Sequence, residues 1–168
     1  MCSSDLGAPG EPPHEIARKL PIPRGPRVSA RSKARKRALD LLFASEVRGR
    51  SAVDALDEEI GDATSAPGGR PVADYTGVLV RGVSEHQARI DDLLATYAQG
   101  WTLARMPSVD RNVLRLGVFE VLYVDDVPDA VAVSEALQLV RELSTDDSPG
   151  FVNGVLGNIV RDKATITV

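Results

Sequence analysis

The 168-residue chain has a single cysteine, Cys2, so neither a disulfide within the chain nor a cysteine-based zinc site can form. Its two histidines, His14 and His86, leave little for histidine-dependent catalysis or metal binding. Aromatic residues make up 4% of the sequence, so any stacking surface must be small. No apolar run approaches the roughly 18 residues that a membrane span needs. Met1–Gly10 has neither the basic start nor the apolar core of a secretory signal, and the cytoplasm is the expected compartment. Four sequence signatures are missing: the phosphate-binding G-x-x-x-x-G-K-[ST] loop, G-x-G-x-x-G, H-E-x-x-H and the G-x-S-x-G nucleophile elbow. Asp125-Asp126 and Asp146-Asp147 are paired carboxylates, but each pair sits at an expected helix boundary, where loop exposure accounts for it. The expectation is a protein without catalysis, cofactor or metal.

What the chain does have is an uneven charge distribution. The net charge is −4, which by itself does not suggest a nucleic-acid partner. From Arg18 to Arg37, however, there are nine basic residues and no acidic one. From Ala38 to Val168 there are 11 basic and 21 acidic residues, a net of −10. A basic arm on an acidic body points to a polyanion for the arm.

Residues 1–30 carry six of the 11 prolines and few apolar side chains, and are expected to be a disordered, proline-rich basic tail. Helical periodicity begins near Ser32. Ala34, Ala38, Leu41, Leu42 and Ser45 form an inner stripe, with Lys33, Lys36 and Arg37 on the other side. The last part of the basic run is thereby fixed on a helical scaffold. Phe43 projects about 140° from the stripe centre, near Lys36, as a partner-helix contact or a stacking surface.

A second helix is expected over Ser51–Ile60 with Ser51 as N-cap, then a loop from Gly61 to Pro71. A third is expected over Val72–Arg81, interrupted by Gly82. Ser84 with Gln87 reads as a capping box for the next, which carries Ile90, Leu93, Leu94 and Tyr97 and ends at Gly100. Pro107 and Ser108 open a helix that is apolar around most of its girth and should be the buried centre. Another carries Val131, Val133, Ala136, Leu137 and Val140. Ser148 as N-cap, with Pro149 after it, starts the last, in which Gly154 and Gly157 are expected to admit a close helix neighbour.

These are about seven helices and no strand: an all-α fold of two packed bundles, residues 31–83 and 84–163, together one domain. The segments SARSKARKRALDLLF, VDRNVLRLGVFEVLY, VPDAVAVSEALQLVREL and ELSTDDSPGFVNGVLGNIV follow one another in this order. In combination they resemble the NusB family of bacterial transcription antitermination factors over about Ala30 to Asp162.

The resemblance implies an all-helical protein without enzymatic activity. It implies pairing with NusE, a small-subunit ribosomal protein, and binding of boxA in nascent ribosomal RNA transcripts. It also implies joining RNA polymerase with other Nus factors; a homodimer is an alternative resting form. By the same resemblance Arg31, Lys33, Arg35, Lys36 and Arg37 contact RNA, and Phe43 stacks on a base. Arg111 and Arg115, four apart on one helix face, are further cations, Arg115 a phosphate contact or an ion pair to an acidic neighbour. Asp147, Ser148 and Phe151 match a loop and helix start near the RNA, where exposed amides can hold a phosphate; Phe151 is alternatively a core residue. Where the family often has a basic residue before that phenylalanine, this chain has Gly150. Asp110 and Glu120 are expected as exposed carboxylates facing NusE.

Two other readings compete. A NusB-like domain also occurs ahead of the catalytic domain of some ribosomal RNA methyltransferases, which need a cofactor-binding glycine-rich turn that this sequence lacks. The other is a helical dimerisation module that binds no RNA.

Overall fold

The computed structural model describes residues 28–167, so most of the expected tail lies outside the described residues. Among the described residues are six α-helices and two single 3-10 turns, with no strand. They are α1 (Ala30–Arg48), α2 (Ala52–Ser65), α3 (Asp74–Tyr97), α4 (Ser108–Tyr123), α5 (Asp129–Leu143) and α6 (Ser148–Asp162). The short turns cover Leu103–Arg105 and Lys163–Thr165. The helices α1, α2 and α3 pack on one another, as do α4, α5 and α6, and both α1 and α3 lie against α4.

Local chemistry sets the helix starts. The Ser29 hydroxyl accepts the Ser32 amide at 3.0 Å, and Ser51 accepts the Asp54 amide at 3.2 Å, each satisfying one orphan donor. The inner stripe of α1 is buried as its spacing predicts: Ala34, Ala38, Leu41, Leu42 and Ser45. Helix α2 continues to Ser65, so the expected loop begins a turn later than Gly61. The centre of the fold is α4, where every residue from Asn112 to Val121 is buried.

Two expected helices are one. α3 runs unbroken through Gly82, and the expected boundary between residues 83 and 84 falls inside it. Ser84 is not an N-cap; its hydroxyl donates back to the Val80 carbonyl at 2.7 Å within the helix. Gly82 serves packing instead. A Cβ built there would stand 2.0 Å from Cζ of Phe119 on α4, so only glycine admits that ring. Conversely, Gly154 and Gly157 on α6 admit no neighbour. Both are exposed, with nothing within 4 Å of a Cβ at either position. Gly157→Ala should therefore raise stability by about 0.5–1 kcal/mol, read as a higher urea midpoint with unchanged slope, because alanine is the better helix former.

Candidate nucleic-acid interface

The basic residues of α1 are about 100° apart per position, so they cannot all face one way. Arg35 turns inward and is 3% exposed. Its Nε donates to both Glu120 oxygens, at 2.8 and 3.1 Å, and its Nη1 lies 3.6 Å from Glu135. Arg31 stays at the surface, its guanidinium 4.5 Å above the Tyr75 ring and paired with Asp126 in the α4–α5 connection. Arg37 pairs with Glu59 of α2. Lys33 and Lys36 are exposed and have no ion-pair partner among the described residues. Phe43, 37% exposed, stands seven positions beyond Lys36, on the same face of α1. A strip of free ammonium groups thus runs along α1 towards an exposed ring.

The amino-terminal end of α1 is locked in place by carboxylates. Ser32 donates to Glu135 at 2.7 Å, and the Tyr75 hydroxyl donates to Glu120. Burial pushes the Glu120 carboxyl above its usual range, opposed by the Tyr75 hydroxyl and by Arg35. Burial, and next the bond to Glu120, raises the Tyr75 phenol.

A second ionic cluster locks the other end of α1. Arg115 of α4 donates to Asp91 of α3 at 2.8 and 3.0 Å and to Glu46 of α1 at 2.8 Å. Arg111 also pairs with Glu46 and donates to the carbonyls of Leu103 and Met106. Both arginines are spent on holding helices together, and Arg115 is 8% exposed. Burial opposes ionisation of Glu46, but the Arg111 bond and charge, with those of Arg115, outweigh it and hold the carboxyl at about 2. A carboxyl lowered in the fold contributes stability that is complete above the usual carboxylate range and lost as pH falls towards 2. Glu46→Gln should thus cost about 2 kcal/mol at pH 7. In urea titrations at several pH values, that deficit should shrink steadily below about pH 5.

Asp110 and Glu120 are corrections. Both were expected as exposed partner contacts, yet they are 3% and 2% exposed. The reason is their place on α4, which has neighbours on every side. Asp110 accepts hydrogen bonds from Ser144 and, at 2.8 Å, from Ser148, which pins the start of α6 to α4. Arg35 and Arg115, expected at phosphates, are likewise enclosed and saturated.

The start of α6 forms a separate patch. Asp147 is its N-cap residue and exposed, Ser148 is buried against Asp110, and Phe151 is half-buried. Phe151 leans on Trp101, with ring centroids 6.1 Å apart and planes at 55°. Sequence reasoning passed over Trp101 and Tyr75. Trp101 had a signal, being the single tryptophan and following a turn glycine; Tyr75 had none, since its partners are distant in sequence.

The NusB family profile matches residues 32–161, nearly all of the described structure. The chain belongs to the NusB family. A transcription antitermination protein NusB from Nocardioides sp. is 68% identical over 139 residues, covering 83% of this chain and 99% of that protein. One from Beutenbergia cavernae is 56% identical, covering 80% and 91% respectively. Among solved structures, NusB of T. maritima superposes with a TM-score of 0.69 at 33% identity, covering 80% of this chain and 92% of that one. A chain from a crystal structure of antitermination factors NusB and NusE in complex with dsRNA gives a TM-score of 0.66 at 25% identity, covering 78% and 96%. No helix among the described residues of this NusB-family chain is long and apolar enough to cross a membrane.

Proposed function

We propose that this chain is a cytoplasmic transcription antitermination factor that acts by binding rather than by catalysis. With NusE it binds boxA RNA in nascent ribosomal RNA transcripts and joins RNA polymerase together with other Nus factors. The relatives named as antitermination proteins support this reading, as does the likeness to a NusB–NusE complex with RNA. The observation that carries it is the α1 face: Lys33 and Lys36, exposed and unpaired among the described residues, continue into the exposed ring of Phe43 on a helix clamped at both ends. Single-stranded RNA needs cations for its phosphates and rings for its bases. Arg31 and Arg37 join when phosphate displaces Asp126 and Glu59, exchanges that cost little because exposed ion pairs are weak. The acidic body suits a basic ribosomal protein, through carboxylates other than Asp110 and Glu120.

The test is fluorescence anisotropy of labelled boxA RNA and of a scrambled control, titrated with this chain alone and with NusE at two salt concentrations. Tighter binding to boxA, increased by NusE, is the expected result. Lys33→Ala with Lys36→Ala should weaken binding and flatten the log–log salt slope by about 1.4, at roughly 0.7 for each phosphate that is no longer neutralised. Equal binding to both RNAs with no gain from NusE would reduce the basic face to a generic polyanion patch and favour the helical-module reading, and an unchanged slope in the double variant would remove Lys33 and Lys36 from it.

A further inference from the structure

Towards the end of α1 remote from its lysines, a cleft opens between α1, the start of α2, the middle of α3 and the start of α4. Its volume is about 570 Å³, within the roughly 300–1,000 Å³ that small-ligand sites occupy. Glu46, Arg111 and Arg115 are part of its lining. Holding helices together accounts for that ionic cluster but not for the space beside it.

The lining carries polar groups that the fold itself leaves unused. Ser45 is 3% exposed, and its hydroxyl is buried with no hydrogen-bond partner among the described residues. A buried hydroxyl without a partner is costly, so one that lines a cleft calls for a group to meet it. The Ser51 hydroxyl accepts the Asp54 amide and keeps its own proton to donate. Gln87 is exposed. The Arg50 guanidinium meets Glu58 at 2.6 Å, an exposed pair that an anion can displace with little loss.

The charge of the lining is positive. Three side chains are guanidiniums, Arg50, Arg111 and Arg115, and one is a carboxylate, Glu46. Arg111 and Arg115 have their N–H groups committed to the helix clamp, so they supply field rather than hydrogen bonds. Ser51 and Ala52 open α2, whose positive dipole end adds to that field. Leu42, Val83 and Leu103 give the cleft an apolar side.

We propose that this cleft binds a free nucleoside monophosphate, with its phosphate on Arg50 and its ring against Leu42, Val83 and Leu103. The phosphate answers the positive field and suits the forked guanidinium. Ribose oxygens and ring nitrogens are acceptors for the free donors of Ser45, Ser51 and Gln87. A lipid would leave the Ser45 hydroxyl unmet, and an inorganic anion would leave the apolar side bare. The site is separate from the proposed RNA face, because Ser45 lies nine positions beyond Lys36, about 14 Å along α1.

The test is nuclear magnetic resonance of the isotope-labelled full chain, titrated with AMP, GMP, CMP and UMP. The corresponding nucleosides and inorganic phosphate serve as controls. The expected result is saturable shifts at the amides of Arg50, Ala52, Ser84 and Gln87 with at least one nucleotide. Its nucleoside and phosphate alone should each bind at least about tenfold more weakly, since each keeps only part of the ligand's contacts. Arg50→Ala should weaken that nucleotide about tenfold, the scale of one charge-assisted hydrogen bond. Ser45→Ala should weaken it several-fold while the urea midpoint holds or rises, because the substitution removes an unpaired buried hydroxyl. Shifts centred on Lys33 and Lys36, and lost when both are alanine, would put the nucleotide on the RNA face and overturn the site. Shifts that inorganic phosphate reproduces at equal affinity, or no shift with any nucleotide at millimolar concentration, would overturn it as well.

Discussion

Arg35→Ala should destabilise the fold by about 3–5 kcal/mol, the largest loss expected from any single basic residue of α1. Arg35 and Glu120 are almost fully enclosed, at 3% and 2% exposure, so neither can turn to water when the other is removed. Deleting the guanidinium leaves a buried carboxylate with Tyr75 as its remaining donor. That carboxyl, already raised by burial, would rise further and take up a proton. A carboxyl raised in the fold loses stability as pH climbs through its folded value, so the deficit should be greatest at neutral pH and above and smaller in acid. Glu120→Gln added to Arg35→Ala should recover part of it by removing the stranded charge. Urea denaturation of the three variants across pH checks this; equal midpoints for Arg35→Ala and the parent would show that the pair is not structural. The contrast with Lys33 and Lys36 matters for function. Their removal should weaken RNA binding and leave the urea midpoint in place, whereas Arg35→Ala should do the reverse once the folded fraction is taken into account.

A second large effect is expected at Gly82→Ala. Three atoms of the Phe119 ring would lie 2.0, 2.3 and 2.8 Å from the new methyl group. The ring is 5% exposed and stacks on Tyr123, which in turn stacks on His86 at 4.0 Å between centroids, so it has little room to retreat. Alanine gains about 1 kcal/mol in helix propensity, but overpacking a filled core and forcing the α3–α4 contact apart costs more. The net expectation is a loss of about 2 kcal/mol, with Phe119→Leu in the same chain restoring much of it. A double-mutant cycle by thermal or urea unfolding measures the coupling. Additive effects would mean that α3 and α4 separate easily at this point.

His86 shows the same limit from another direction. In the sequence it is a lone imidazole without companion ligands. In the structure it is part of an aromatic stack with Tyr123 and Phe119, assembled from two helices. Nothing in the local pattern around His86 signals that stack, because its partners lie more than thirty residues away.

Patterns within a single element were readable from the sequence. The 3.6-residue period placed Ala34, Ala38, Leu41, Leu42 and Ser45 inside, because neighbours on one helix face are set by backbone geometry alone. Ser51 could be identified as an N-cap because that bond closes within three residues. The all-helical class and the family resemblance follow from the same local periodicity repeated in order. Which arginines remain available was decided only in three dimensions. Helical spacing gives Arg31, Lys33, Arg35, Lys36 and Arg37 their angles on α1. Whether each keeps its charge for a ligand depends on carboxylates brought from α2, α4, α5 and the α4–α5 connection. Arg35 meets Glu120 across 85 positions, and Arg115 meets Glu46 across 69. Gly82, Asp110 and Glu120 were misread for one reason: the role of each is set by what a neighbouring helix or loop packs against it.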